Sequence, residues 1–598
     1  MSQNIEKVAV LGAGVMGAQI AGHLANAGIP SYLFDINDEL AKNGVDSLTS
    51  LKPAPLYKPK NAELVTPCTY DNDIEKIAEV DWVLEAVVER LDIKEQVYNN
   101  LLPHLKDTAI LTSNTSGIPL TDLTSSLSDG VKQRFMITHF FNPPRYMQLL
   151  ELVRGEQTSD ETYKTMVEFG ESVLGKGIVH AKDTPNFIGN RIGVYGMMAT
   201  MNLAIKQGFT VEEVDKLTGP ISGRPKSATF RTADVVGLDT MRHVSKTTYE
   251  KALDDEERDM FIIPDILNQL IDSGRLGQKT KAGFYKKNED RSIHSVDFKT
   301  GEYTPQKKVR FDCFRIAKDR QKLPDKLKAL CYGDDRGSKY FWEITAKTLI
   351  YSANRIPEIS DDIVNIDNAM KWGFGWEKGP FESWDAIGVQ KSVDRMKIEG
   401  KKVPSWILEM LESGRDTFYT TENGEQAYWC PIEKHSVAIK PNPKVINLAI
   451  YKTGNKTLKR DLSASVNDLG DGILNVEFHS ILQPTLNPID GSYIEMINFA
   501  LDLIETGDYK SMVLGHQGAN FCAGANLNLI LELCQNNMWD ELDFAIKTLQ
   551  DTTQRIRFSK GPIVAAPFQL ALGGGVEIVQ PAAHRVVAAE TYMGLVEV

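Results

Sequence analysis

The N-terminal stretch constrains the fold more than any other part of the chain. An apolar run, Lys7-Val8-Ala9-Val10-Leu11, leads into Gly12-Ala13-Gly14-Val15-Met16-Gly17 and a helix-like segment. A second run, Pro30-Ser31-Tyr32-Leu33-Phe34, then ends on Asp35. Strand, glycine turn, helix, strand and acid in that order make a nucleotide-binding βαβ unit. Gly12 permits the tight turn, Gly14 lets the backbone approach a pyrophosphate, and Gly17 allows close helix-on-sheet packing, so the phosphates meet unpaired N–H groups at a helix N-terminus. A carboxylate at Asp35 accepts both ribose hydroxyls of an adenosine and repels a 2′-phosphate, and no Arg follows it in Ile36-Asn37-Asp38. The expected cofactor is therefore NAD rather than NADP.

With 598 residues the chain is too long for one core, and at roughly 150 residues per domain several domains are expected. A net charge of −13 argues against nonspecific nucleic-acid binding. No uninterrupted apolar stretch approaches the roughly 18 residues of a membrane span, and no basic, apolar leader opens the chain, so neither insertion nor secretion is expected. The six cysteines form no CxxC pair and no metal-finger spacing, which suits free thiols in a reducing cytoplasm.

Residues 1–182 alternate β-branched runs with helical segments, as in Asp81-Trp82-Val83-Leu84-Glu85, Ala109-Ile110-Leu111-Thr112-Ser113 and Arg134-Phe135-Met136-Ile137-Thr138. This predicts a doubly wound, mostly parallel sheet of the Rossmann type. Residues 183–287 carry helical periodicity and read as a separate helical domain. A weak repeat follows: Glu213-Val214-Asp215-Lys216 before Gly219-Pro220 is echoed by Ile366-Asp367-Asn368-Ala369 before Gly379-Pro380. A second helical copy is expected at 336–430, with polar linkers at 288–335 and 431–471. In that copy Glu382 and Asp385 read as solvated or capping residues, and Trp342, Trp372, Trp376 and Trp384 as core. A last alternating pattern opens at Gly472 and marks an α/β domain over 472–598.

Ser113-Asn114-Thr115-Ser116 and Thr138-His139-Phe140-Phe141-Asn142-Pro143 put a hydroxyl, an imidazole and an amide at the ends of successive strands. In such a sheet those ends border the cofactor crevice. Glu151, flanked by apolar residues in Leu149-Leu150-Glu151-Leu152-Val153, would be costly alone. Paired with His139 it would fix the ring tautomer, raise the basicity of the other nitrogen and stabilise the imidazolium. Oxidation of an alcohol needs such a base, because the hydroxyl must lose its proton as hydride departs.

Ser113-Asn114-Thr115-Ser116, His139-Phe140-Phe141-Asn142-Pro143, Asp183-Thr184-Pro185-Asn186-Phe187-Ile188-Gly189-Asn190-Arg191 and Gly277-Gln278-Lys279-Thr280-Lys281-Ala282-Gly283-Phe284-Tyr285 occur in one order. Together they resemble the 3-hydroxyacyl-CoA dehydrogenases over residues 5–287. The resemblance implies His139 as base and Glu151 as its orienting partner. It implies Ser116 and Asn190 as positioning groups for the substrate 3-oxygen and thioester, and Glu89 and Lys94 as cofactor-side contacts. Two alternatives stay open at this point. Another NAD-dependent β-hydroxyacid dehydrogenase would lack the His139 motif, and a catalytically silent structural protein would not be expected to hold Ser116, His139, Glu151 and Asn190 together.

Near the C-terminus, Asn520-Phe521-Cys522-Ala523-Gly524-Ala525-Asn526 and Leu572-Gly573-Gly574-Gly575-Val576-Glu577 each follow a short strand. Two small-residue turns of this kind can aim two backbone N–H groups at one oxygen, an oxyanion hole suited to a thioester becoming an enolate. This stretch resembles the crotonase family and its enoyl-CoA hydratases. The resemblance implies an oxyanion hole at Ala525 and Gly574 and catalytic carboxylates at Glu577 and Glu597, with Asn526 departing from a more usual Asp. The chain ends one residue after Glu597, so the crotonase-like portion is expected to be partial and to hydrate poorly. The two resemblances together imply NAD-dependent oxidation of (S)-3-hydroxyacyl-CoA to 3-oxoacyl-CoA in fatty acid β-oxidation. They imply acyl-CoA thioester substrates and either a homo-oligomer or a complex with a thiolase, with no metal.

Overall fold

The computed structural model describes residues 4–422 and 424–595. It divides into two compact units, one of residues 1–419 with 428–436, the other of 420–427 with 437–598.

The first unit opens with an eight-stranded sheet in the order β3-β2-β1-β4-β5-β6-β7-β8. Its strands are β1 (Val8–Leu11), β2 (Ser31–Asp35), β3 (Val65–Thr69), β4 (Trp82–Glu85), β5 (Ile110–Ser113), β6 (Phe135–Phe140), β7 (Leu149–Arg154) and β8 (Gly177–Ala181). Pairing is parallel throughout except between β6 and β7. Strands β1 and β4 to β6 are buried along their whole length, as continuous β-branched and aromatic runs require when both faces are covered. Helix α1 (Val15–Asn26) leaves β1 through the glycine turn and packs back on the sheet.

Beyond β8 the unit is helical. The long helix α2 (Gly189–Gln207) packs against α3 (Arg336–Asn354) and α4 (Ile363–Phe374), which belong to the second helical segment. The repeat has a shared physical basis. Asp215 accepts from the N–H groups of Thr229 and Phe230 and from the Tyr285 hydroxyl at 2.8 Å, while Asp234 accepts from Phe284 and Tyr285 N–H. In the second segment Asp367 accepts from Phe381 and Glu382 N–H and from the Tyr419 hydroxyl at 2.8 Å, and Asp385 accepts from Phe418 and Tyr419 N–H. Each acid pair thus clasps the strand that closes its copy. Burial pushes all four carboxyls above the ordinary range, against the pull of those backbone donors.

The segments join through a buried ion cluster. Arg191 donates to the Tyr351 hydroxyl and pairs with Asp255 at 2.7 Å, and Arg355 lies 3.3 Å from the same carboxylate. Tyr195 and Tyr351 stack at 3.6 Å. Trp342 and Trp384 are core residues, whereas Trp372 is partly buried against Gly177, and Trp376 lies under the Arg224 guanidinium at 4.2 Å. Glu382 caps its helix at Gly379 N–H and pairs with Lys371 at 2.6 Å.

Two expected linkers are corrected by the structure. Residues 288–335 hold strands Ile293–Val296 and Tyr303–Pro305 and helices Asp312–Lys318 and Leu323–Tyr332. Their core contribution is a sparse set, Val296 on a strand and Cys313, Ala317, Leu327, Leu330 and Cys331 at helical intervals, diluted among Lys, Arg and Asp. Residues 431–471 include strands Thr457–Arg460 and Ala464–Gly470, which belong to the sheet of the second unit. The second of these alternates Ala464 and Val466 with Ser465 and Asn467, all fully buried, so polarity does not mark which face is inside.

The second unit is a six-stranded sheet. It begins with those two strands and continues through Ile473–Phe478, Ser511–Leu514, Ile563–Ala565 and His584–Arg585. The first two pairings are antiparallel and the rest parallel. Helix Gly491–Thr506 covers one face through Tyr493, Ile497, Leu501 and Ile504.

Candidate active site

The turn after β1 is built as the glycine spacing requires. Gly12 has φ +99°, and a β-carbon there would lie 2.7 Å from Ala86 O. A β-carbon on Gly17 would meet Gly12 O at 1.8 Å, so α1 packs on the turn with no room for a side chain. Gly14, by contrast, caps α1 without a side chain, and a β-carbon on it would meet nothing within 4 Å. That leaves space at a helix N-terminus with no acidic residue in its first turn, which fits a dinucleotide pyrophosphate. Asp35 accepts from Ala13 N–H and Ile36 N–H, both at 2.7 Å. It therefore anchors the glycine turn, and a carboxylate has lone pairs left for ribose hydroxyls.

Strands β6 and β7 set His139 and Glu151 directly opposite each other in register. His139 Nδ1 and Glu151 Oε2 are 2.7 Å apart, and Glu151 is completely buried. Its other oxygen, Oε1, accepts from Gly189 N–H at 2.7 Å and Ile188 N–H at 3.1 Å. The carboxylate is thus held by the imidazole on one side and by the N-terminus of the 19-residue α2 on the other. With Nδ1 occupied, Nε2 is the ring atom left to face a substrate. Phe141 and Phe187 flank the ring edge-on, at 4.7 and 5.6 Å between centroids.

Phe187 and its neighbour Asn186 both have positive φ. Such strain needs support, and Asn186 receives it by donating to Val244 O and the Thr248 hydroxyl, while its own N–H donates to Ser116 O. Phe187 also lines a small recess with Ser116, Gly117 and Pro185. Phe187 therefore stands between the Ser116 recess and the His139 ring, 5.6 Å from the latter between centroids. Asn190 opens the first turn of α2, next to the N–H groups that hold Glu151.

Glu89 and Lys94, expected on the cofactor side, support the Ser116 turn. Glu89 accepts from Ser116 N–H at 3.0 Å, Gly117 N–H at 2.9 Å and the Thr115 hydroxyl. Burial would raise its carboxyl, but the Lys94 charge and these donors outweigh burial and hold it below the usual range. Lys94 is buried and bonded to Glu85 at 2.7 Å, with Glu89 at 3.4 Å. Glu85, at the end of β4, was not singled out by sequence. It is fully buried and also accepts from Ser113 and Tyr98 hydroxyls. The available signal was a lone acid ending an apolar strand.

In the second unit the two small-residue turns meet. Cys522 N–H donates to Leu570 O, and Leu572 N–H returns the bond to Cys522 O. A β-carbon on Gly574 would lie 3.9 Å from Ala525 N and 3.6 Å from Glu577 Oε2, so all three sit at one spot. Gly574 is buried, whereas Ala525 and Glu577 are exposed. Asn526 caps the helix Leu527–Gln535 by accepting from Leu529 N–H at 3.4 Å. Glu597 lies outside the described residues.

The sequence matches the 3-hydroxyacyl-CoA dehydrogenase NAD binding domain over residues 7–184 and its C-terminal domain over 187–287. Residues 482–598 match the enoyl-CoA hydratase/isomerase family. A probable 3-hydroxyacyl-CoA dehydrogenase of Bacillus subtilis (strain 168) is 45% identical over 618 residues, covering 100% of this chain and 77% of that protein. A putative fatty acid oxidation complex trifunctional enzyme of Rickettsia felis is 30% identical, covering 100% of this chain and 79% of that one. The crystal structure of 3-hydroxybutyryl-CoA dehydrogenase from Escherichia coli K12, at 21% identity, covers 69% of this chain and 100% of its own with a TM-score of 0.51, and so shares the fold. Among the described residues no helix is long and apolar enough to cross a membrane. The chain belongs to the 3-hydroxyacyl-CoA dehydrogenase family, and it is an enzyme of that kind that also carries an enoyl-CoA hydratase/isomerase domain.

Proposed function

We propose that the chain oxidises (S)-3-hydroxyacyl-CoA to 3-oxoacyl-CoA with NAD as a step of fatty acid β-oxidation in the cytoplasm. The observation that carries this is the His139–Glu151 pair, buried and locked from both sides, with one ring nitrogen left to work. His139 Nε2 takes the hydroxyl proton, and Glu151 stabilises the resulting imidazolium through Nδ1. Ser116 and Asn190 orient the 3-oxygen and the thioester. Gly12, Gly14, Gly17 and Asp35 hold the dinucleotide, with Glu89 and Lys94 fixing the turn that carries Ser116. Bound NAD supplies the hydride acceptor for C3. The (S) hand follows from the resemblance of the motifs.

In the second unit the Ala525 and Gly574 N–H groups form the oxyanion hole for an acyl-CoA thioester, with Glu577 and Glu597 as the carboxylates that handle water. Hydration of a 2-enoyl-CoA yields a 3-hydroxyacyl-CoA, so the second unit feeds the first. Relatives named as fatty acid oxidation complex subunit alpha support assembly into a complex, and the chain's partner in it is taken to be a second copy or a thiolase. The test is steady-state oxidation of a short and a long 3-hydroxyacyl-CoA with NAD and with NADP. Reduction of NAD with either substrate, and little with NADP, is expected. Equal use of both cofactors would remove the NAD assignment, and no turnover with either substrate would remove the activity.

A further inference from the structure

The aromatic side of His139 does not end within its own domain. Phe141, edge-on to the imidazole at 4.7 Å, packs in turn against Phe374 at 6.4 Å, and Phe374 is the last residue of α4 in the second helical segment. Both rings lie over the small-residue face of α2 that begins beside Asn190. A β-carbon on Gly189 would lie 2.7 Å from Phe141 Cζ, and one on Gly193 would lie 2.0 Å from Phe374 Cζ. Glycine at both positions is what lets the rings approach. Phe187, the other ring edge-on to the imidazole, is buried in the 184–187 turn that bonds Ser116 O through Asn186 N–H, whereas Phe141 and Phe374 are only partly covered. Apolar surface left open beside a catalytic pair favours an apolar ligand.

We propose that Phe374 and Phe141 form a platform for the alkyl chain of the substrate beyond C3, so that Phe374, contributed by the second helical segment, is a determinant of chain-length specificity. The proposal rests on the dehydrogenase function above. A short acyl group ends before reaching Phe374, and a long one covers both rings.

The test compares kcat/KM for 3-hydroxyhexadecanoyl-CoA and 3-hydroxybutyryl-CoA with NAD in the full chain, for wild type, Phe374→Leu and Phe374→Ala, with thermal melts alongside. The long-to-short ratio should fall by about tenfold in Phe374→Ala, the loss expected for a few methylenes stripped of their apolar contact. Phe374→Leu keeps an apolar side chain and should fall by less, and it carries the test if the alanine variant does not fold. A purely structural role would lower both substrates together and leave the ratio unchanged. An unchanged or rising ratio, beside measurable turnover of the short substrate, overturns the platform alone. Absence of turnover in wild type with both substrates overturns the dehydrogenase function, and the platform with it.

Discussion

The two candidate sites are held in opposite ways. In the first unit each chemical group is fixed by a second group behind it: Glu151 by α2, Ser116 by the partly buried Glu89, Glu89 by the buried Lys94 and Lys94 by the buried Glu85. In the second unit the chemistry is assigned to main-chain N–H groups on two turns, and the nearby Glu577 is exposed on a six-residue helix. A side-chain base needs a supporting shell to set its tautomer and position. An oxyanion hole needs only that two backbones be brought together, here by the Cys522–Leu570 and Leu572–Cys522 bonds. Buried support makes the first site sensitive to substitutions well away from its reacting atoms. The second should respond only to changes in its turns and carboxylates.

The largest effect should come from the base itself. His139→Gln is expected to lower 3-hydroxyacyl-CoA oxidation by about 10²–10⁴, with NAD affinity by calorimetry unchanged, and Glu151→Gln should follow in the same direction. Near-normal turnover in the His139 variant would dismiss it as the base. Next is the ion cluster behind α2. Asp255→Asn removes the fully buried carboxylate and leaves Arg191 and Arg355 to the partly exposed Glu358 and Glu256, and should cost the first unit about 1.5–3 kcal/mol, seen in scanning calorimetry as a downward shift of one transition. If the transition of the second unit moves equally, the two are not held independently.

Asp35→Ala should weaken NAD binding by about 1.5–3 kcal/mol through lost charge-assisted hydrogen bonds and relax discrimination against NADP. Because Asp35 also anchors Ala13 N–H, NADP binding should improve by less than NAD binding declines. Equal and opposite changes would show that ribose contact is its sole role. The smallest expected effect is at the other end of the chain. Glu577→Gln should leave NAD-dependent oxidation within about twofold, as independent sites do, while removing whatever enoyl-CoA hydration the wild type shows. A substantial loss of oxidation would break the contrast between the sites.

Local chemistry was legible in the sequence where one residue's role is settled by its neighbours along the chain. The glycine turn is one case, and the His139–Glu151 pair is another, because an acid inside an apolar strand has few affordable partners. Roles that depend on distant segments were not legible. Lys94 was expected as a cofactor-side contact until Glu85 was placed beside it, and Phe374 reads as an ordinary apolar position at a helix end until Phe141 arrives from a remote strand. The folded parts of 288–335 escaped notice because their few apolar residues are outnumbered by charges. The strand Ala464–Gly470 escaped for the opposite reason, since its buried serine and asparagine resemble a loop.

The doubled acid clasp has a consequence for how such an enzyme behaves in solution. Two copies of one helical unit, each closed by its own aspartates and tyrosine, meet through α2 and α3 within a single polypeptide. A contact of this kind between separate subunits would come apart on dilution. Tethered in one chain, the neighbouring copy stands at a fixed and high local concentration, so the aromatic wall beside His139 stays assembled however little protein is present.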